Sequence, residues 1–262
     1  MRPNLKMLAL LGMVAASSMV ATGARAGSMI GLVEGKWIAT IDPATRKVTA
    51  KGDVKGAPRL IGIVVRPADG MLYGVTSDGA VVTIDVKSLQ ATPKSKLSEN
   101  LKSGVTATID FNPVADRMRL MGSDGTNLRA NVDDGRVTVD GSHKFKEGDA
   151  NAGKTPKIVA GAYTNAVKGA QATALYGIDA TTGSLVMQAP PNDGVLNTVG
   201  PLGVKLSGNV GFNIVSSAPD KNEAWLTMGG ALYSVDLTSG KATMVGKIDG
   251  LPGYLIDIAW MD

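Results

Sequence analysis

One element recurs five times along the chain: an apolar strand pattern ending in Asp, a short polar turn, then a second strand rich in Thr and Val. The copies are WIATIDPATRKVTAKG from Trp37, AVVTIDVKSLQATPKS from Ala80, NLRANVDDGRVTVDG from Asn127, ALYGIDATTGSLVMQ from Ala174 and ALYSVDLTSGKATMVG from Ala231. The marker acids are Asp42, Asp85, Asp133, Asp179 and Asp236, spaced 43 to 57 residues apart. That spacing is close to the period of propeller blades, in which one small sheet cannot bury its faces alone and stacks on its neighbours. An Asp at a strand end accepts a backbone N–H two residues on and so nucleates a turn. Turn chemistry is therefore the reading of all five acids.

A second element precedes most copies, an apolar strand followed by a turn that often holds Pro. It reads LIGIVVRPADG from Leu60 and TATIDFNPVAD from Thr106, with looser copies IVAGAYTNAVKG from Ile158 and VGFNIVSSAPD from Val210. The fifth copy, LIDIAWMD, is the C-terminus itself. Between Asp110 and Gly141 the two elements combine into a four-stranded antiparallel meander. Pro113 ends a strand because it cannot donate to a ladder. Arg117–Met121 alternates polar and apolar residues like a half-buried strand, and Asp124-Gly125 and Asp134-Gly135 supply hairpin turns. The first copy lacks the pre-Pro strand at its own start. Leu255–Met261 is the strand that can complete it, beside Met29–Glu34. The expectation is an all-β fold, a β-propeller of five four-stranded blades closed by pairing the C-terminal strand with the N-terminal blade. Six blades or an open array are the alternatives. No amphipathic helical pattern follows the first 26 residues, and Ser142–Lys157 reads as a polar loop between blades.

Residues 1–26 read as a secretory signal peptide. Arg2 and Lys6 form a basic start, Met7–Val20 is apolar, and Ala24-Arg25-Ala26 is an A-x-A cleavage site. The apolar run is shorter than the roughly 20 residues that span a bilayer. The expectation is a single domain over 27–262 that is periplasmic or secreted, with no membrane span after cleavage. Losing Arg2, Lys6 and Arg25 takes Lys plus Arg from 27 to 24 against 23 acids, a net charge of about +1. The basic pI thus belongs mostly to the leader, which removes the simplest argument for nucleic-acid binding. The chain has no Cys, so sheet pairing and burial must hold it without disulfides.

LYGVTSDG from Leu72, DFNPVADRMRL from Asp110 and SDGTNLRANVDDG from Ser123 resemble a bacterial family catalogued as a domain of unknown function, four-three-nine-four. TALYGIDATTGSLVMQAPPNDGVLNTVGPLG from Thr173 and GFNIVS from Gly211 are similar to the same family. The resemblance implies an exported, propeller-like protein and brings no catalytic residues with it.

The residues offer little chemistry of their own. His143 is the one His, in the polar loop, and is expected to be solvated. There is no G-x-S-x-G elbow, no P-loop and no G-x-G-x-x-G between a strand and a helix. Asn131–Gly135 and Asn192–Gly194 lack the alternating acids and distant Glu of an EF-hand and read as hairpin turns. Trp37, Trp225 and Trp260 fall on strands and read as core. One constellation stands out. Aligning the five pre-Pro strands gives a column of Val64, Asp110, Ala162, Asn213 and Asp257. If those strands are innermost, Asp110, Asn213 and Asp257 ring the axis, with Asn112 one step along, and present oxygen ligands that suit Ca²⁺. The leading expectation is an exported binding module for a protein, glycan or small ligand. The alternative is a metal-dependent hydrolase of lactonase type built on those three residues, an analogy at the level of fold.

Overall fold

The computed structural model describes residues 27–262. The leader expected over residues 1–26 lies outside the described residues. Among the described residues there is no α-helix, hence no helix long and apolar enough to cross a membrane.

The chain opens with β1 (Ser28–Val33), β2 (Trp37–Asp42) and β3 (Lys47–Asp53). The second sheet is β4 (Leu60–Val65), β5 (Leu72–Thr76), β6 (Ala80–Ile84) and β7 (Ala91–Lys96). The third is β8 (Ala107–Asn112), β9 (Arg117–Gly122), β10 (Asn127–Ala130) and β11 (Val137–Val139). After the short β12 (Lys144–Phe145), the fourth sheet is β13 (Ile158–Tyr163), β14 (Leu175–Asp179), β15 (Ser184–Gln188) and β16 (Val195–Pro201). The fifth is β17 (Val210–Ala218), β18 (Lys221–Met228), β19 (Ala231–Val235) and β20 (Ala242–Lys247). Finally β21 (Leu255–Met261) pairs antiparallel with β1, placing Trp260 opposite Met29 and Ile258 opposite Gly31. The first sheet is thus ordered β21-β1-β2-β3, and the ring of five blades is closed by the two ends of the described chain.

The innermost strands are β21, β4, β8, β13 and β17, each touching the next around the axis. They are the five pre-Pro segments. The hydrophobic core is divided into five wedges, one at each blade boundary. Ile30, Leu32 and Ile38 of blade I pack on Leu60, Ile63 and Leu72 of blade II. Tyr73 and Val75 of blade II pack on Ile109 and Phe111 of blade III, and Met121 of blade III meets Tyr163 and Leu175 of blade IV. Ile178 and Leu185 of blade IV meet Phe212 and Leu226 of blade V. Leu232 of blade V meets Met29, Ile41 and Ile258 of blade I. Strand alternation explains the division. On β1, Ile30 and Leu32 serve one wedge and Met29 and Val33 the other. Both faces of an inner strand are therefore buried, while the outermost strands β3, β7 and β20 are largely exposed.

The recurrent turn is local chemistry. Asp42 Oδ1 accepts the N–H groups of Ala44 and Thr45 at 2.8 and 3.1 Å. Asp85 does the same with Lys87 and Ser88, Asp179 with Thr181 and Thr182, and Asp236 with Thr238. In each case the backbone oxygen of the Asp also accepts the N–H four residues on, from Arg46, Leu89, Gly183 and Gly240. The third blade departs from the expectation. There the turn is headed by Asn131, whose side chain accepts Asp133 N–H and whose carbonyl accepts Gly135 N–H. Asp133, two residues later, is left to pair with Arg66 and Lys94.

Two other readings change. The segment Ser142–Lys157 is not simply loop, since β12 adds to blade IV as a fifth strand, parallel to β16, and buries Phe145. β9 alternates in polarity but is not half-buried: Arg119 is 1% exposed, because the blades on both sides cover that strand.

Candidate functional site

The ring has two distinct faces. The turns after the innermost strands and the Asp- or Asn-headed turns share one face, called upper here; the opposite ends of the innermost strands open on the lower face. At the upper end of the axis lies a cavity of about 310 Å³ lined by Val65, Asp110, Lys168, Asn213 and Val215 among others. At the lower end a cavity of about 340 Å³ is lined by Arg59, Ile61, Lys102, Ala107, Asn209 and Ile256 among others.

The predicted column Val64, Asp110, Ala162, Asn213 and Asp257 lies on the innermost strands. Its polar members are not equivalent. Asp110 turns toward blade IV, where its Oδ2 accepts the N–H of Tyr163 at 2.5 Å. Asp257 turns toward blade II, where its Oδ2 accepts the N–H of Ile63 at 2.9 Å, while its Oδ1 accepts that of Ile258. Each carboxyl thus ties its blade to the next one round the ring. Gly62 leaves the room for this: a Cβ there would stand 3.0 Å from Asp257 Oδ2 and 2.8 Å from Ile109. Asp110 and Asn213 share the wall of the upper cavity, whereas Asp257 is not part of its lining. Asn112 heads a turn, its side chain accepting the N–H groups of Val114 and Ala115. Among the described residues no three of His, Cys, Asp and Glu come together as a metal-ligand group.

Both carboxyls are buried, at 7% and 8% exposure. Burial penalises the charged form and pushes Asp110 up to about 7, against the pull of the Tyr163 N–H. Burial likewise raises Asp257 well above the ordinary range, and the nearby Asp110 adds to the effect.

The expectation for His143 is overturned. It is 7% exposed, its backbone N–H donates to Gly125 O, and it sits beside Arg119. Burial, then the Arg119 charge, lowers its pKa to about 4, so it is neutral at physiological pH. The sequence placed it among Lys and Gly, but its cover comes from residues distant in the chain. Trp37, Trp225 and Trp260 all pack at the boundary of blades V and I. Trp225 and Trp260 also line a cleft there.

Two polar networks escaped the sequence reading. Arg66 of blade II donates to both oxygens of Asp116 at 2.8 and 2.6 Å and reaches Asp133 at 3.2 Å. Its guanidinium also lies over the rings of Tyr73 and Phe111. Buried Arg119 of blade III donates to Tyr163 Oη, Asn127, Asp140 and Asn192, the first and last of them across the boundary in blade IV. The signal available for Arg119 was an Arg flanked by Met118 and Leu120 within a strand, since a buried charge requires partners.

Among the solved structures that resemble the chain in shape are two proteins of unknown function. One is a protein of unknown function from Bacteroides caccae, 15% identical, with a TM-score of 0.47 over 87% of this chain and 77% of that one. The other is a structural genomics protein of unknown function from Bacteroides thetaiotaomicron VPI-5482, 13% identical, with a TM-score of 0.55 over 88% of this chain and 61% of that one. Only the second is close enough to bear on the fold. No curated protein matches the chain. The sequence model of the family described as Domain of unknown function (DUF4394) matches residues 37–259, and the chain belongs to that family.

Proposed function

We propose that this protein is an exported binding module that takes a small polar ligand in the upper axial cavity. The observation that carries this reading is the lining. Residues from all five innermost strands or the turns that follow them converge there, and Asp110, Asn213 and Lys168 offer an acid, an amide and a cation in one concavity. A volume of about 310 Å³ lies at the small end of ligand pockets, which run from roughly 300 to 1,000 Å³. The leader pattern at 1–26 supports placement in the periplasm or outside the cell. A ligand of monosaccharide or amino-acid size fits both the space and the polarity. The test is a thermal-shift screen of the purified protein against pools of sugars and amino acids, repeated on Asn213→Leu and Lys168→Ala. The expected result is a ligand that stabilises the parent protein and loses its effect on both variants. A hit that both variants bind equally well would place the ligand elsewhere and defeat this reading.

The alternative, a divalent-cation hydrolase of lactonase type using Asp110, Asn213 and Asp257, is favoured by Asp110 and Asn213 sharing the cavity wall. Calorimetry with Ca²⁺ decides it. The hydrolase reading requires heat of binding that Asp110→Asn and Asn213→Leu each remove, and a flat titration eliminates it.

A further inference from the structure

The upper face is filled differently at different blade boundaries. Between blades II and III, Arg66 occupies the space, paired with Asp116 and Asp133 and stacked over Tyr73 and Phe111. Between blades IV and V the filler is an amide cluster. Asn165 N–H donates to Asn222 Oδ1, and Asp220 N–H donates to Asn165 Oδ1, both at 2.8 Å. Between blades V and I lies instead a cleft of about 970 Å³, three times the volume of the axial cavity.

The composition of this cleft is one-sided. Asp42, Glu223 and Asp236 line it together with Trp225 and Trp260, and none of its lining residues among those described is Lys or Arg. Two of the acids are fixed in place. Asp42 is held by the turn N–H groups of Thr45 and Ala44, and Asp236 by that of Thr238 and by the Ser239 hydroxyl. The same bonds depress both pKa values, so both carboxylates are charged across the physiological range. They approach the cleft from opposite sides, one from blade I and the other from blade V. Fixed anions beside indole side chains are complementary to a cation with a flat, weakly hydrated surface, which describes a guanidinium better than an ammonium. The boundary between blades II and III shows that this fold already uses that solution, with its own Arg66 as the cation.

We infer that the cleft between blades V and I binds an extended peptide segment of a partner protein through an Arg side chain placed between Asp42 and Asp236 and against the indoles. The volume argues for a segment rather than a lone side chain, since it stands near the top of the range for ligand sites. This site shares Trp260 with the lining of the ligand cavity proposed above but does not depend on a ligand there.

The test uses the purified protein and three capped pentapeptides of alanine with arginine, lysine or citrulline at the centre. Tryptophan fluorescence and calorimetry follow binding. Citrulline keeps the shape of arginine and removes its charge. The expected order is arginine, then lysine, with citrulline weakest, and affinity falls with added salt. Asp42→Asn and Asp236→Asn suit the test because Asn also heads such turns, as Asn131 does here. Each is expected to weaken the arginine peptide about tenfold while leaving the thermal transition in place. Asp116→Asn, at the other boundary, should leave binding unchanged. Equal binding of the citrulline peptide, binding unaffected by the two Asn substitutions, or no binding of the arginine peptide at millimolar concentration would each overturn the inference. The screen of the axial cavity stands apart from these outcomes, because its variants are Asn213 and Lys168.

Discussion

The Asp110 carboxyl in blade III accepts the backbone N–H of Tyr163 in blade IV at 2.5 Å, and this bond is buried. A carboxyl so placed has two opposed demands on it. Its acceptor role is best filled by the ionised form, yet burial penalises that form more strongly and holds the folded-state pKa at about 7. Linkage then fixes a sign. Because the folded pKa is raised, the stabilising contribution is complete below the unfolded value near 4 and is lost as pH rises through about 7. A shift of some three units corresponds to roughly 4 kcal/mol. Chemical denaturation in metal-free buffer should therefore show stability falling between pH 4 and 7. Asp110→Asn, which keeps a carbonyl for the Tyr163 N–H, should flatten that fall and exceed the parent at pH 8. Asp110→Ala should cost about 1–3 kcal/mol at pH 5 by leaving the N–H without an acceptor. An unchanged pH profile in the Asn variant would show that Asp110 does not carry the effect.

Ring closure makes a separate prediction. β21 is the innermost strand of blade I and also touches β4 and β17, so its removal opens two wedges of core at once. Ending the chain at Gly253 should abolish the single cooperative thermal transition rather than lower it by a few degrees. A truncated chain that still melts in one sharp step would contradict closure by this strand.

The turns allow a sharper comparison. Gly135 and Gly183 hold the same place in their turns, both with positive φ, +76° and +63°. Arg46 and Leu89 occupy that place in two other blades at φ 59° and 60°, so a side chain is tolerated where there is room. Nothing lies within 4 Å of a Cβ built on Gly183, whereas one on Gly135 would run into the carbonyl of Lys96. Gly183→Ala should cost about 1 kcal/mol, from backbone conformation alone. Gly135→Ala should cost more than about 2 kcal/mol, because backbone has to move. Melting temperatures of the pair measure the difference, and equal values would refute the assigned packing.

What the sequence made legible follows the range of the forces involved. The turns were legible because an Asp and the N–H groups it binds lie within three residues, as at Asp42 and Asp85. Blade count and closure were legible because the repeat is a statement about one blade made five times. The reading failed where a partner comes from another blade. Asp133 looks like a turn acid in its own segment, and only the approach of Arg66 from blade II shows its role. His143 looks solvated among Lys and Gly until blade IV covers it. Asp110 and Asp257 were aligned correctly on the inner strands. The direction each carboxyl takes depends on which neighbouring N–H lacks a partner, and a one-dimensional alignment does not contain that.

Arg119 offers a test with two independent readouts. Its guanidinium joins Asn127, Asp140, Tyr163 and Asn192 while only 1% exposed. Asp140, buried as well, is shared with Arg129, whose Nε and Nη2 reach its two oxygens. Arg119→Met should cost about 3–5 kcal/mol, because it leaves a buried carboxylate half-compensated and several acceptors without a donor. Arg119→Lys should recover little, since an ammonium cannot reach four partners in the planar fork that the guanidinium spans. Combining Arg119→Met with Asp140→Asn should restore part of the loss by removing the stranded charge. The second readout is His143, the sole histidine of the chain, whose ring signals are unambiguous by NMR. Burial and then the Arg119 charge set its midpoint at about 4 in the parent. Loss of that charge should move the midpoint upward, though not to the free value, because the ring remains covered. A midpoint that stays put in Arg119→Met would mean that the guanidinium does not face the imidazole.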